Sequence, residues 1–290
     1  MVLEFDSMQG IAGRYYAEHD GEPGDVAAAL EEQYRPKFAG DQLPQSDSGR
    51  ALALADRLDT LVGIWTAGKQ PTGSKDPFAL RRAALGVLRI LGETPLDLDL
   101  DALLDATIAG YPPELDAASN KAALLDFFRE RFKVLCLDRG YSRLQFEAAA
   151  SVGYSRPADL LKRLHAVQLF SELDASDSLS AADKRIRNIF KKIDANVLNN
   201  VDASLFEDEL EKNLHQTLIK LQESSQLCIE RSDYETALKT LAELKAPVDA
   251  FFDGVMVMAE DEALRQNRLA LLAQLRGLFL QIADLSQLQE

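Results

Sequence analysis

Residues 68–77, GKQPTGSKDP, have nearly the composition of a phosphate-binding loop. Such a loop needs the pattern Gly-x4-Gly-Lys-Ser/Thr, a strand before it, and a helix N-terminus aimed at the phosphates. Here the last two residues are reversed as Ser74-Lys75, a helix ending at Trp65 precedes the loop, and two prolines lie in it. We therefore interpret the segment as a connection between helices, in which Asp76-Pro77 begins the next helix.

The basic residues around this loop allow a second interpretation. Lys69, Lys75, Arg81 and Arg82 gather in the loop and in the first turns of the following helix. A positive loop beside a helix N-terminus can bind an RNA phosphate or an acidic partner surface. Lys75, Arg81 and Arg82 are therefore candidates for phosphate contact, with stabilisation of the fold as the alternative.

Residues 181–193, AADKRIRNIFKKI, combine an apolar stripe with a basic face. The stripe consists of Ile186, Ile189, Phe190 and Ile193, which recur at helical spacing. The opposite side carries five basic residues and one amide: Lys184, Arg185, Arg187, Asn188, Lys191 and Lys192. A solvated helix face commonly explains such a pattern. In a chain with a large acidic excess, however, the cluster favours contact with phosphates.

A second basic run occupies residues 128–143, FRERFKVLCLDRGYSR. Arg139 and Arg143 could contact phosphates there, and Tyr141 could stack on a base. Ion pairs of this run with Glu130 and Asp138 are the alternative. Two further arginines, in DEALRQNRLALL over residues 261–272, are secondary candidates that neighbouring carboxylates could neutralise.

The sequence offers no convincing catalytic or metal site. His19-Asp20 has the letters of a metal-binding doublet, but no second or third histidine is placed to complete a site. Asp56 and Asp59 lie three residues apart on one predicted helix without a partner histidine, so caps or ion pairs explain them better than acid–base catalysis.

Charge restricts the possible partners. The 290 residues include 32 basic and 47 acidic ones, a net charge of −15. This excess argues against non-specific binding to DNA, RNA or an anionic membrane, but a local basic face can still bind RNA. No apolar run approaches the roughly 18–20 residues of a membrane span, and the start MVLEFDSMQG lacks the pattern of a signal peptide. Cys136 and Cys228 lie in apolar helical patterns and are expected to be reduced core residues of a cytoplasmic protein.

The elements that position these residues are predicted to be helices throughout. Glu172–Ser180 is Ser/Asp-rich and is expected to be a connector. The following helices should be interrupted at Asn199-Asn200, Pro247 and Ala259–Asp261. Before the connector, the first predicted helix starts with Val26–Leu30 and ends before Arg35-Pro36. The others are Gly49–Trp65, Phe78–Leu91, Ala118–Asp138, a short one near Gln145–Ser151, and Pro157–Phe170.

Several long blocks, spread from Val2 to the C-terminus, resemble the β subunit of the bacterial two-subunit glycyl-tRNA synthetase. They are MQGIAGRYYA, FAGDQLP, ALADRLDTLVGIW, PTGSKDPFALRRAALGVLRIL, AADKRIRNIFKK, LAELKAPVDAFFDGVMVMAEDEALRQNRLALLAQL and IADLSQL.

The resemblance implies an α2β2 enzyme that joins glycine to tRNA-Gly using ATP and Mg²⁺. The α subunit would hold the aminoacylation site, and the β subunit would recognise the tRNA. The resemblance also implies a helical domain related to the His-Asp (HD) phosphohydrolase fold, followed by an anticodon-binding domain of the DALR type. Family members are much longer, so we expect a C-terminal piece that begins inside the HD-like domain. Asp56 would stand at the position of that fold's last acidic ligand, and His19-Asp20 would be a coincidence of letters.

Together these inferences predict an all-α chain with three regions: a truncated HD-like domain over 1–95, a helical connecting region over 96–170, and an anticodon-binding bundle over 171–290. We expect a non-catalytic, tRNA-binding part of a cytoplasmic glycine–tRNA ligase, partnered by tRNA-Gly and the α subunit, with no membrane or DNA partner. This chain should bind no cofactor or metal itself, because ATP and Mg²⁺ belong to the α subunit. The alternative is a helical subunit-contact scaffold without RNA affinity.

Overall fold

The computed structural model describes residues 4–193 and 200–289, and all regular elements in these ranges are helical. The prediction of an all-α protein is thus confirmed. Contacts divide the chain into two compact units. Unit 1 comprises Met1–Asp138 with Ser155–Ala158, and unit 2 comprises Arg139–Tyr154 with Asp159–Glu290. The region boundaries expected near residues 95 and 170 rest on family likeness and stay predictions.

Unit 1 is built around its longest helix, α3, which packs against α2, α4 and α5. Ser46 begins α3 by accepting a hydrogen bond from the Gly49 amide, and the inward stripe ends at Trp65, whose ring lies 4.8 Å from that of Phe127. The helices are α1 (Ile11–His19), α2 (Gly24–Glu32), α3 (Asp47–Thr66), α4 (Leu80–Glu93), α5 (Leu100–Ile108) and α6 (Lys121–Asp138).

Arg57 is the least expected buried group of α3, because a cation lies in the core. Its guanidinium donates to the carbonyl oxygens of Gln33 at 2.8 Å, Ala53 at 2.9 Å and Arg35 at 2.9 Å. Two of these carbonyls follow the end of α2, where the helix dipole is negative. Arg57 therefore ties the end of α2 to α3.

Unit 2 centres on α10, which packs against α11, α12 and α13, while α9 packs against α12, α13 and a 3₁₀ turn at Leu285–Leu288. Phe251 of α12 and Phe279 of α13 are fully buried in this core. The helices are α7 (Arg143–Ala150), α8 (Pro157–Phe170, whose first two residues belong to unit 1), α9 (Ser176–Lys192), α10 (Glu209–Glu230), α11 (Tyr234–Leu241), α12 (Lys245–Gly254) and α13 (Glu262–Leu280).

Several predicted boundaries differ from the structure, and three of the differences concern the connector, Pro247 and the start of α4. α9 begins at Ser176, inside the expected connector, because Ser176 and Ser180 are small enough to be buried in a helix despite their low propensity. Pro247 lies in the first turn of α12, where its missing N–H costs no helical hydrogen bond. α4 begins at Leu80, and Phe78 precedes it as an exposed side chain.

Other predictions are confirmed or partly confirmed. α8 spans the predicted Pro157–Phe170, and an interruption does occur at 259–261. Cys136 is buried, whereas Cys228 is only half-buried. Asn199 lies outside the described residues, and Asn200 belongs to no helix. None of the described helices is both long and apolar enough to cross a bilayer.

Candidate nucleic-acid interface

A buried ion network fixes the position of α9. Arg276 of α13 pairs with Asp183 of α9 at 2.5 Å and with Asp284 at 3.0 Å. The Ser286 amide also donates to Asp183, at 2.8 Å. Burial raises the pKa of Asp183 to about 6 in spite of this arginine. Burial also opposes ionisation of Asp284, but the hydrogen bond from Ser286 and the charge of Arg276 hold its pKa below the ordinary value.

The apolar stripe and the basic side of α9 have the burial that the sequence predicted. Ile186 is buried, and Ile189 and Phe190 are half-buried. On the other side, Lys184 and Arg187 are half-buried. The remaining members of the basic face are exposed, namely Arg185, Asn188, Lys191 and Lys192. One helix thus brings all six predicted residues to a common surface, which we call the α9 basic face.

Two members of the α9 basic face also contact the end of the chain. Arg187 donates to Ser286 Oγ at 3.2 Å, and Lys184 Nζ donates to the Gln289 carbonyl at 3.4 Å. The guanidinium of Arg185 lies over the ring of Phe252, 4.5 Å from its centroid. Among the described residues, no carboxylate lies within ion-pair distance of Arg185, Arg187, Lys191 or Lys192. Their charge remains available to an anion.

The α9 basic face is concave at one place. A shallow surface pocket of about 380 Å³ opens there. The cationic and amide groups in its walls are of the types that donate to phosphate oxygens. Its lining residues are Ala181, Lys184, Arg185, Asn188, Ile189, Lys192 and Gln289.

The second basic run is divided between the two units: residues 128–138 end α6 in unit 1, and Arg139 and Arg143 lie in unit 2. Arg139 is exposed in the turn after α6, and Arg143 is exposed as the first residue of α7. Ser142 caps α7 by accepting from the Gln145 amide, while the Gln145 side chain accepts from the Ser142 amide. The turn that presents Arg143 is therefore well defined.

The loop at 68–77 belongs to unit 1 and forms a tight turn. Thr72 and Lys75 exchange backbone hydrogen bonds of 2.9 and 3.1 Å, with Gly73 at a positive φ of 53°. The Asp76 carboxylate accepts from the amides of Leu80 at 2.8 Å and Arg81 at 3.0 Å. These are two of the amides that an anion at the start of α4 would use.

The basic side chains of this loop have different environments. Arg81 donates to the Gly73 carbonyl, and Lys69 lies 5.7 Å from the centroid of the Phe78 ring. Lys75 and Arg82 are exposed. An anion here would therefore meet Lys75 and Arg82 rather than the helix terminus.

The carboxylates and histidines considered for chemistry are dispersed. His19 is exposed in the last turn of α1, and Asp56 is exposed on α3. Asp59 accepts a 2.9 Å hydrogen bond from the Tyr111 hydroxyl, and burial together with this carboxylate raises the pKa of Tyr111 to about 12. Within the described ranges, no group of three His, Cys, Asp or Glu side chains is placed to hold a metal ion.

Sequence reasoning missed the role of Arg268, which it offered as a secondary RNA contact. Arg268 is buried and pairs with the fully buried Glu211 at 2.8 Å. Glu211 also accepts from the amides of Glu207 and Asp208 in a capping box. Only the Asp208-x-x-Glu211 spacing hinted at this arrangement.

The fold and this surface define a class of protein: an all-α chain of acidic net charge that carries five cations on one face of a single helix. Comparison with known proteins narrows the class. Residues 1–151 match the family model described as glycyl-tRNA synthetase beta subunit, and residues 179–285 match the DALR anticodon binding domain. The chain belongs to the glycyl-tRNA synthetase beta subunit family.

Individual relatives are similar in sequence to this chain along its whole length. A glycine–tRNA ligase beta subunit of Ralstonia nicotianae is 48% identical over 288 residues, covering 99% of this chain and 41% of the relative. Those of Chromohalobacter salexigens and Aliivibrio fischeri are 48% and 49% identical over 290 residues, covering 100% of this chain and 42% of each relative. The chain thus spans about two fifths of the length of these relatives.

Proposed function

We propose that this chain provides the tRNA-binding part of a cytoplasmic glycine–tRNA ligase and that the α9 basic face holds tRNA phosphates. One observation carries the proposal: the exposed Arg185, Lys191 and Lys192, which have no described carboxylate partner, lie inside the segment that matches an anticodon-binding domain. We assign the attachment of glycine, with ATP and Mg²⁺, to the α subunit of an α2β2 assembly. The contribution of this chain is binding and orientation.

The α9 basic face suits this task because phosphate contacts fix the register of an RNA and supply most of its affinity. We place the primary contacts on Arg185, Asn188, Lys191 and Lys192, with Lys184 and Arg187 at the edge that also holds the end of the chain. Arg139, in the turn after α6, and Arg143, at the start of α7, are proposed as further phosphate contacts in unit 2. Lys75, Arg81 and Arg82 are proposed as phosphate contacts of unit 1.

The test replaces Arg185, Lys191 and Lys192 by Ala and measures tRNA-Gly binding at several salt concentrations. Arg187 is left intact because it also binds Ser286. Each lost phosphate contact should weaken binding and flatten the plot of log affinity against log salt by about 0.7–0.9. The matched control replaces exposed Lys162, Lys220 and Arg231 by Ala, which removes the same charge from other helices of unit 2.

If the first variant leaves the slope of log affinity against log salt unchanged, the α9 basic face does not contact tRNA phosphates. Equal losses in both variants would mean that net charge alone governs binding. If the unaltered chain fails to bind tRNA-Gly even at low salt, the subunit-contact scaffold becomes the better explanation.

A further inference from the structure

A cleft in unit 1 lies between the end of α2, the middle of α3 and the start of α4. Its volume is about 400 Å³, within the range of about 300–1,000 Å³ that small-molecule sites occupy. We call it the unit 1 cleft. Aromatic, amide and charged side chains together form its walls, and they include Gln9, Tyr34, Lys37, Asp56, Phe78 and Arg82.

Arg57 gives the unit 1 cleft a fixed positive charge. Arg57 lines the cleft and is only 8% exposed, and its guanidinium is held by the carbonyl oxygens of Gln33 and Arg35. Burial lowers the pKa of Arg57, and the negative charge of the neighbouring Asp56 opposes this effect. No carboxylate of the described ranges lies within ion-pair distance of the guanidinium. Its charge therefore contributes to the potential in the cleft.

The other charged side chains of the unit 1 cleft have few partners. Arg82 and Asp56 are exposed, and in the described part of the chain neither side chain forms a hydrogen bond or an ion pair. Lys37 Nζ donates to the Gln9 carbonyl at 3.3 Å, which leaves further ammonium protons for a ligand. With Arg57, the cleft holds three cations and one carboxylate, in a chain whose net charge is −15. This balance favours an anionic ligand, and Asp56 remains as a hydrogen-bond acceptor.

Two aromatic rings and an amide complete the walls of the unit 1 cleft. Phe78 is 41% exposed, and Lys69 Nζ lies 5.7 Å from the centroid of its ring. The ring of Tyr34 packs against Gly10, where an added Cβ would lie 2.9 Å from Cδ2. The Gln9 amide and the Tyr34 hydroxyl have no hydrogen bond to a described residue. These groups suit a flat ring that has polar atoms on its edge.

We propose that the unit 1 cleft binds a nucleoside monophosphate, an inference that goes beyond the proposed function and shares only Arg82 with it. The phosphate binds Arg82 and Lys37 through charge-assisted hydrogen bonds. Asp56 accepts from the ribose hydroxyls, as carboxylates do in dinucleotide sites, and the base stacks on Phe78. Inorganic phosphate would use only the cations, and it would leave Asp56 facing an anion.

The first experiment measures the binding of AMP and of inorganic phosphate to the unaltered chain by titration calorimetry. AMP should bind at least tenfold more tightly, because only AMP can contact both Phe78 and Asp56. Arg82→Gln should weaken the binding of both ligands about tenfold, since a charged donor to phosphate is lost. Arg231→Gln is the matched control, because Arg231 is exposed at the end of α10 in unit 2, and it should change neither affinity.

The second experiment uses Asp56→Ala to distinguish a nucleotide site from a general anion site. AMP should bind several-fold more weakly to this variant, because the ribose hydroxyls lose their acceptor. Inorganic phosphate should bind equally well or more tightly, because a repulsion is removed. The affinity for 2′,3′-dideoxy-AMP, which has no ribose hydroxyls to donate, should not fall.

A third variant, Phe78→Leu, tests the stacking of the base. It should weaken AMP binding about tenfold and leave the binding of inorganic phosphate unchanged. Arg82, Asp56 and Phe78 are all exposed, so each variant should keep the melting temperature of the unaltered chain.

Two results would overturn the inference: equal affinity of the unaltered chain for AMP and phosphate, or tighter AMP binding by Asp56→Ala. Either would make the unit 1 cleft a general anion site. Failure of AMP to bind would also overturn it, while the function proposed for the α9 basic face in unit 2 would stand. If AMP binds and tRNA-Gly does not, the proposed function is wrong and this inference stands.

A competition with saturating tRNA-Gly identifies the source of the nucleotide. Displacement of AMP would show that a nucleotide of the RNA occupies the unit 1 cleft. Undiminished AMP binding would show that the cleft serves a free nucleotide. The ligand chemistry is the same in both cases, so both results agree with the proposal.

Discussion

At the scale of single residues, Arg276 holds together the site that positions α9. Its guanidinium lies between two carboxylates, Asp183 and Asp284, of which Asp183 is almost completely buried. Burying these three groups costs solvation energy, and their mutual attraction offsets that cost only while all three are present. The position of the α9 basic face therefore depends on one cation that is not itself a member of that face.

Replacing Arg276 by Met should destabilise the folded chain by about 3–5 kcal/mol at pH 7, because two buried carboxylates are left facing each other. Without the cation, the pKa of Asp183, already raised to about 6, should rise further. A raised folded-state pKa adds stability at low pH that is lost as the pH rises through it. The loss should therefore be smaller at pH 5 than at pH 7, as measured by urea unfolding at both values.

The control for Arg276 is the exposed pair Lys239–Glu235 in the same unit. Lys239→Met should change stability by less than about 1 kcal/mol at either pH. A loss in Arg276→Met that is small, or equal at pH 5 and pH 7, would contradict the role assigned to this network.

Some residue roles can be predicted from the sequence, and others cannot because the partner is distant along the chain. The α9 basic face was predictable, because helical spacing alone places its members on one side. The second role of Arg187 was not, since its partner Ser286 is 99 residues away. Arg268 was predicted to be an RNA contact for the same reason, because nothing near it in the sequence indicated that its partner is Glu211.

At the scale of elements, α4 packs closely against α3 at Gly86. A Cβ atom added at Gly86 would lie 2.6 Å from Nε of Arg57. Arg57 cannot move aside without releasing the carbonyls of Gln33, Ala53 and Arg35. Glycine is therefore required here by the packing of two helices, and its low helix propensity is tolerated.

We expect Gly86→Ala to lower the free energy of unfolding. Overpacking costs about 1–3 kcal/mol, which exceeds the gain of about 1 kcal/mol in helix propensity once Arg57 is displaced. Gly277→Ala is the matched control, because Gly277 lies exposed on α13 and its added Cβ would meet no atom within 4 Å. That change should stabilise by about 0.5–1 kcal/mol. Urea unfolding measures both, and effects of the same sign would refute the packing argument.

Apolar periodicity predicted that most of the helices exist, but it did not predict where several of them begin or end. Asp76 was expected to cap a helix beginning at Pro77, yet it caps Leu80 and Arg81 across a residue, Ala79, with a left-handed backbone. Residues 176–180 were expected to be a connector because Ser and Asp favour turns. Burial of Ser176, Leu179 and Ser180 against the rest of unit 2 outweighs that preference.

At the scale of the whole molecule, the sign of the charge differs between the body and the candidate interface. The chain carries a net charge of −15, whereas the α9 basic face carries five cations within nine residues. The body repels polyanions at distances comparable with the Debye length, about 10 Å at 0.1 M salt, and the α9 basic face attracts them at contact. The proposed function therefore predicts a preference for an RNA whose shape matches the basic surface over any nucleic acid that merely carries phosphates.

The acidic body should therefore suppress binding to duplex DNA. In competition at low salt, the unaltered chain should prefer tRNA-Gly to a duplex DNA of equal phosphate number by at least tenfold, since little of the DNA can approach the α9 basic face without meeting the acidic body.

Replacing exposed Glu172, Glu223 and Glu243 by Gln changes the net charge from −15 to −12, since three negative charges are removed. DNA binding should then rise several-fold, and more than tRNA binding, because it lacks specific contacts. The matched Glu→Asp variant retains the charge and should behave as the unaltered chain. Equal affinity of the unaltered chain for both nucleic acids would show that the acidic surface does not contribute to the choice of partner.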